Sequence, residues 1–187
     1  MSSPSTIFSL LLLLLLSTKA FSYEDLVTKT CKEASKNNKK IDYNFCVNAL
    51  KSYPTTKSCT NGLTCLGKVS LTLVKNNVSK TTSMIQTLLK NNDKAIDPNT
   101  KAVLADCSDL YVESSSTIDE ATKDFMANRL NDANSKVSSV MTSVGTCEEG
   151  FQDLGVGSSN PLTKQNDNAS NLCSLALYIM KSVNKTS

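Results

Sequence analysis

The stretch "VLADCSDLYVESSSTI", residues 103–118, decides the fold, because apolar side chains recur in it at three- and four-residue steps. Continued downstream, the series is Val103, Cys107, Leu110, Ser114, Ile118, Ala121 and Phe125. This spacing is typical of a helix with one face toward a core. Asp97 and Pro98 suit its first turn, since aspartate caps the free N–H groups and proline lacks only an N–H that would be unpaired. A helix carrying Cys107 on its inner face is therefore predicted.

Three further segments show the same periodicity. Their apolar positions are Leu63, Leu66, Val69, Leu73, Met84, Ile85, Leu88 and Leu89 within about Thr60–Lys90; Leu130, Ala133, Val137, Val140, Val144 and Cys147; and Leu172, Leu175, Ile179 and Val183. The polar stretch 76–83 is expected to interrupt the first of these faces. A turn is expected at Phe125–Leu130, and a non-helical loop at 150–164, which contains glycines and Asn160-Pro161. The pattern predicts an all-α, up-down-up-down four-helix bundle.

The chain divides into three predicted parts. Residues 1–22 are interpreted as a secretory signal peptide, since the apolar run 7–17 is short and small residues follow it. Residues 23–55 are expected to form a helical hairpin that ends at Pro54, and residues 56–187 the bundle. The mature protein is expected to be secreted to the extracellular space or apoplast, with the vacuole as an alternative. It is expected to be monomeric and not membrane-bound.

All seven cysteines lie in the predicted mature part and would meet an oxidising compartment. With no CxxC and no histidine, a zinc site is disfavoured and disulfides are expected. A Cys31–Cys46 bond would close the small hairpin. Cys107 near the start of one helix and Cys147 at the end of the next would meet if the two helices are antiparallel.

The odd number of cysteines leaves at least one unpaired within the chain. Cys59 could pair with Cys65 if the first bundle helix begins late, which Gly62 favours; Cys173 would then be a free thiol. Alternatively, Cys65 could pair with Cys173, because the first and last helices of such a bundle are neighbours. Both pairings remain open from the sequence.

Composition disfavours most catalytic and binding classes. The absence of histidine excludes Ser-His-Asp and Cys-His sites and the HExxH zinc motif, and no GxGxxG or P-loop is present, so no cofactor is expected and the chain is predicted not to be an enzyme. A net charge of +3 with scattered lysines gives no support for nucleic-acid binding. The acidic residues Glu113, Asp119, Glu148 and Glu149 are expected on solvated helix faces and ends.

Several motifs together resemble one known family. "TCKEAS…DYNFCVNAL", "LADCSDLY", "GTCEEGF" and "NPLTKQND" are similar to motifs of the plant invertase and pectin methylesterase inhibitors, and more narrowly to pollen-allergen members of that family. The resemblance spans Thr30 to Val183. It implies a four-helix bundle with an N-terminal hairpin, disulfides Cys31–Cys46 and Cys107–Cys147, and no catalytic activity. The implied partner is a target enzyme, an acid invertase or a pectin methylesterase, bound non-covalently and one to one.

The contact site is inferred from a partial match to that family. Its cell-wall invertase inhibitors carry Pro-Lys-Phe at the turn between the second and third bundle helices, where this chain has Asn128, Arg129 and Leu130. These three residues are the predicted target contacts, with the Arg129 cation able to meet the paired carboxylates of a glycosidase-type site. The stretch "SSVMTSVGTC" also departs from the "SAALT" that pectin methylesterase inhibitors tend to show.

A second function remains open: a secreted helical bundle without inhibitory activity that binds small apolar ligands or another partner. A cavity beside residues 76–83 would favour it. Asn77, Asn168 and Asn184 each begin an Asn-x-Ser/Thr sequon and are predicted as N-glycosylation candidates. The polar surroundings of Asn77 predict that its side chain is solvated.

Overall fold

The computed structural model describes residues 26–59, 62–90 and 96–185, and that part of the chain is helical, with no strand. The helices are α1 (26–37), α2 (Tyr43–Ser52), α3 (Gly62–Lys90), α4 (Pro98–Met126), α5 (Leu130–Asp153) and α6 (Thr163–Asn184). Short 3₁₀ turns occupy Pro54–Ser58 and Gly157–Ser159. The predicted signal peptide lies outside the described residues. None of the helices described could span a membrane, given their length and polarity.

The helices α3 to α6 pack as an antiparallel bundle, so the predicted fold class is confirmed. Each consecutive pair is in contact, and α6 returns to pack against α3. The direction of α4 relative to α3 follows from one ion pair and one packing contact. Lys75 Nζ lies 2.5 Å from Asp119 Oδ1, and Gly67, earlier in α3, packs against Phe125, later in α4.

The buried face of α4 corrects one predicted position. Tyr111 is buried and Leu110 only half-buried, so the inner face passes through the tyrosine. The predicted cap is confirmed: Asp97 Oδ1 accepts hydrogen bonds from the N–H groups of Asn99 and Thr100 at 2.8 and 3.1 Å. All the apolar positions predicted for α5 and α6 are buried.

The polar stretch 76–83 does not interrupt the core, contrary to the prediction. Val78 and Thr81 are buried on the same face as Val74 and Ile85. The Thr81 hydroxyl donates to the carbonyl of Asn77 in its own helix at 2.9 Å, so its side chain enters the core with its donor paired. The half-buried Leu63, Leu73, Met84, Leu88 and Leu89 pack at the edge of this face.

Three disulfides connect the elements. Cys31–Cys46 joins α1 to α2 with a Cα–Cα distance of 5.6 Å. Cys59–Cys65 joins the end of the first 3₁₀ turn to the start of α3, and Gly62 lies between them with a φ of +56°.

The third disulfide, Cys107–Cys147, joins α4 to α5 across 40 residues of chain. Cys173 is a free, buried thiol, and burial raises its pKa to about 12. These pairs coincide with those named from the sequence, and Cys65 is not bonded to Cys173.

Gly67 lets α3 approach α4 closely. A Cβ added there would lie 2.4 Å from Cζ of Phe125, whose ring is buried. The ring therefore occupies the space that any larger residue at position 67 would need. Phe125 lies one residue before the end of α4 at Met126, so this contact holds the last turn of α4 against α3.

Candidate functional site

The turn between α4 and α5 is short and tightly bonded. The backbone N–H of Arg129 donates to the carbonyl of Asp124 at 2.8 Å, and that of Asn128 donates to Phe125 at 3.1 Å. Asn128 has a φ of +59°, the left-handed conformation that asparagine adopts more readily than most residues. These features define a Schellman motif, which ends a helix while pairing its last carbonyls. The chain reverses here without glycine or proline.

A buried carboxylate lies beneath this turn. Both Arg129 Nε, at 3.0 Å, and Arg129 Nη2 donate to Asp124 Oδ1. Lys136 Nζ, from the second turn of α5, donates to the other oxygen, Oδ2. The Asp124 side chain is only 7% exposed, and the hydrogen bonds from Lys136 and Arg129 hold its pKa below the ordinary value. We call Asp124, Asn128, Arg129 and Lys136 the charged turn.

Two more carboxylates border the charged turn. Arg129 Nε is 3.9 Å from Asp132 Oδ2, and Lys136 Nζ is 3.6 Å from Glu120 Oε2. With Asp124, three carboxylates face two cations. Arg129 is thus not an isolated positive charge, and recognition at this turn would depend on directed hydrogen bonds rather than on net charge.

The three predicted contact residues do not share one environment. Asn128 is exposed, and the Arg129 side chain is 55% exposed. Leu130 stays a prediction as a target contact, and its side chain offers little surface because it is largely buried. The reason for this burial is its position as the first residue of α5, where it begins the inner apolar face of that helix. The candidate site is therefore Asn128 with Arg129.

A second polar cluster, which the sequence did not indicate, lies between the end of α5 and the start of α6 and reaches Tyr111 in the middle of α4. Tyr111 Oη donates to Asn166 Oδ1 at 2.6 Å, and Asn166 Nδ2 donates to Glu148 Oε2 at 2.6 Å. Asn160 Nδ2 and Thr163 Oγ1 also donate to Glu148, at 2.8 and 3.1 Å. Burial is the main reason that the pKa of Tyr111 is raised. We call these five residues the amide network.

The amide network corrects two predictions. Glu148 is half-buried and accepts three hydrogen bonds, so it is not a solvated helix end. The loop expected at 150–164 begins later, because α5 continues to Asp153 and buries Phe151. Gly155, with a φ of +69°, ends the helix through a second Schellman motif, in which Val156 N–H donates to Phe151 at 2.9 Å.

The sequon asparagines differ in exposure. Asn77 is half-buried and its Oδ1 is buried without a hydrogen-bond partner, so it is not the solvated side chain that was predicted. Asn168 is half-buried in the first turns of α6, and Asn184 is exposed at the end of α6. Glycosylation of the three stays a prediction. Within the described residues, no three histidine, cysteine or acidic side chains are grouped as metal ligands would be.

The described residues form a disulfide-linked antiparallel bundle with an N-terminal helical hairpin and an exposed, hydrogen-bonded turn. Residues 25–179 match the profile of the family described as plant invertase/pectin methylesterase inhibitor, and the chain belongs to this family. The family and the fold support a role as an enzyme inhibitor.

Relatives and solved structures agree with this assignment. A protein of Platanus acerifolia named "Putative invertase inhibitor" is 36% identical over 174 residues, 93% of this chain and 92% of the relative. A protein of Platanus orientalis with the same name is 34% identical over 157 residues, 84% of this chain and 89% of the relative.

Two crystal structures share the fold. A mutant form of a pectin methylesterase inhibitor from Arabidopsis superposes with a TM-score of 0.65 at 24% identity, covering 80% of this chain and 95% of that one. A pectin methylesterase inhibitor from Arabidopsis thaliana superposes with a TM-score of 0.58 at 23% identity, covering 83% and 93%. At these identities the likeness concerns the fold alone.

Proposed function

We propose that the protein inhibits an extracellular plant acid invertase by non-covalent, one-to-one binding, and that Asn128 and Arg129 are central contacts. The choice of invertase over pectin methylesterase is supported by the names of the two relatives above 30% identity. The solved pectin methylesterase inhibitors, below 25% identity, support the bundle and not the target.

The observation that carries the proposal is the preorganisation of Arg129. An arginine side chain has five N–H donors. Asp124 takes one from Nε and one from Nη2. Three donors, two of them on Nη1, are left for a partner, and the side chain is 55% exposed. Because Asp124 already holds the guanidinium, less conformational entropy is lost on binding than for a free arginine.

The chemistry of the target fits this arrangement. Glycosidases of this type act through paired carboxylates, which accept hydrogen bonds from a planar guanidinium with defined geometry. The exposed Asn128 amide adds one donor group and one acceptor beside it. In this proposal the turn enters the cleft as a rigid tip, and the bundle behind it excludes substrate.

The second function, binding of small apolar ligands without inhibition, is supported less well. The cleft beside residues 76–83, about 630 Å³, is lined mainly by polar and charged side chains, among them Asn76, Asn77 and Lys80. Val78 and Thr81, which would have to leave the core to open an apolar cavity there, are buried.

A parallel titration tests the proposed function. The purified, disulfide-intact protein is added in increasing amounts to an acid invertase and to a pectin methylesterase, and residual activity is measured at matched pH. We expect invertase activity to be lost at about one equivalent, with a one-to-one complex on a sizing column, and esterase activity to be retained. Inhibition of the esterase alone would show that the proposed target is wrong. Inhibition of neither enzyme would favour the non-inhibitory bundle.

A further inference from the structure

A polar groove runs along the surface between α5 and α6, from the hairpin to the charged turn. Its wide section, about 710 Å³, also contacts the loop between α1 and α2. A narrower section of about 290 Å³ shares Asn134 and Lys181 with it. A third depression, also about 290 Å³, shares Leu130, Asn131 and Asn184 with the second and reaches Arg129. We call the whole the α5–α6 groove.

The groove is basic over most of its length. Lys40, Lys181 and Lys185 line the wide section, and no acidic side chain lines it or the narrow section. Among the ion pairs of the described residues, none involves these three lysines. Lys181 and Lys185 are four residues apart in sequence, which on a helix is about 6 Å along the axis. Like charges at this spacing repel each other weakly, and an anion bound between them would remove that repulsion.

The groove is also rich in carboxamides. Asn131 and Asn134 on α5 and Asn184 on α6 line it, and within the described part of the chain their side chains make no hydrogen bond. Each amide offers two donor hydrogens and one acceptor oxygen, the set that pairs with sugar hydroxyl groups. By contrast, the cleft between α3 and α6 combines Lys80 and Lys164 with Asp167, so it has no single charge sign.

We propose that the α5–α6 groove binds an acidic oligosaccharide, a linear chain of uronate sugars. Its carboxylates would pair with Lys40, Lys181 and Lys185, and its hydroxyl groups would bond to Asn131, Asn134 and Asn184. Nucleic acid fits less well, because its phosphates are denser than three lysines can neutralise and because no arginine lines the wide section. The proposal does not depend on enzyme inhibition, so failure of the titration above would leave it unchanged.

Binding of hexagalacturonate to the full mature chain, measured by calorimetry at low salt, tests the proposal. The variant Lys40→Gln/Lys181→Gln/Lys185→Gln is expected to bind about tenfold more weakly, since each exposed pair contributes modestly. The matched control, Lys68→Gln/Lys101→Gln/Lys123→Gln, removes the same charge from exposed positions of α3 and α4. It should bind within about twofold of the wild type. Equal weakening in both triple variants, or no binding by the wild type, would overturn the proposal.

A second comparison separates sugar recognition from charge. The variant Asn131→Ala/Asn134→Ala should weaken hexagalacturonate about threefold, as expected for the loss of two exposed hydrogen-bonding groups. The amide resonances of both asparagines should shift in the wild type on addition of the sugar. A hexaglutamate peptide should bind more weakly and be insensitive to this variant. Hexaglutamate binding as tightly as the sugar, with unshifted amide resonances, would show that the groove is an acidic-peptide site and contradict the proposal.

Discussion

The charged turn lies where α4 ends and α5 begins, and the amide network lies where α5 ends and α6 begins, so the two ends of α5 are held in different ways. At each end a helix stops at a Schellman motif, with Asn128 at one end and Gly155 at the other. The charged turn is held by Asp124 between two cations and leaves Arg129 half-exposed. The amide network joins the buried Tyr111 and Asn166 to the half-buried Glu148 carboxylate, and the Cys107–Cys147 disulfide lies beside it.

The two ends therefore differ in how much they stabilise the fold and in how many hydrogen-bond donors they leave accessible to a partner. Hydrogen bonds around buried groups and a disulfide constrain the chain strongly but present little to a partner. Ion pairs whose cations are partly exposed contribute less to stability because water and salt screen them, yet the unused donors of those cations remain accessible. We therefore expect changes at the amide network to affect mainly folding, and changes at the charged turn to affect mainly binding.

The largest effect on stability is expected from the disulfide at the amide network. Cys107→Ala/Cys147→Ala should lower the free energy of unfolding by about 4 kcal/mol, since the bond closes a loop of 40 residues. Urea unfolding with linear extrapolation measures this. The matched variant Cys59→Ala/Cys65→Ala, with a separation of only 6 residues, should lose about 2 kcal/mol. A greater loss in the second variant would contradict the assignment.

The next effect concerns Asn166. Asn166→Ala should cost about 3 kcal/mol of unfolding free energy, because it leaves the Tyr111 hydroxyl and one Glu148 oxygen short of a partner. Tyr111→Phe, which removes only one hydrogen bond, should cost about 1 kcal/mol. Thermal or urea unfolding of both variants gives the comparison. Equal, small losses would mean that the network does not hold this end.

At the charged turn, the left-handed backbone conformation of Asn128 should contribute less to the free energy of unfolding than Asn166 does. Asn128→Ala places a residue with a Cβ and no local hydrogen-bonding side chain at a φ of +59°, and should cost about 1 kcal/mol. Asn128→Gly should leave the free energy of unfolding nearly unchanged, since glycine accepts this conformation. Equal stabilities of the two variants would show that the left-handed conformation is not required.

The smallest effect is a pH dependence. Hydrogen bonds from Lys136 and Arg129 lower the pKa of Asp124 in the folded protein. The stabilisation is therefore complete above the unfolded pKa, about 4, and is lost as the pH falls through the folded pKa. Between about pH 5 and pH 2 the wild type should lose more stability than Asp124→Asn. Parallel pH profiles of the two proteins would contradict this coupling.

Much of the fold followed from the spacing of apolar residues, and the failures have physical causes. The faces of α5 and α6 were predictable because all the buried positions of α5 and most of those of α6 are apolar, with Asn166 and Ser174 as the polar positions of α6. Tyr111 was missed because its burial depends on Asn166, 55 residues away. Thr81 was missed because its hydroxyl is paired within its own helix, which periodicity does not reveal.

The candidate site was predictable only in its location. The position of the turn followed from the end of one apolar series and the start of the next. The bond from Arg129 to Asp124, and the burial of Leu130, depend on the left-handed conformation of Asn128. An asparagine at the end of a helical pattern was the available signal.

Inhibition of an acid invertase by two charge-matched variants tests most directly whether the charged turn contacts the target. Arg129→Gln removes one of the two cations of the charged turn, and Lys164→Gln removes a cation from an exposed position at the start of α6, beside the amide network. We expect the inhibition constant of Arg129→Gln to rise about 30-fold, as for an interface hot spot of about 2 kcal/mol, with that of Lys164→Gln within twofold of the wild type. An unchanged constant for Arg129→Gln, with its folding intact, would move the contact to the helix faces and contradict the proposed site.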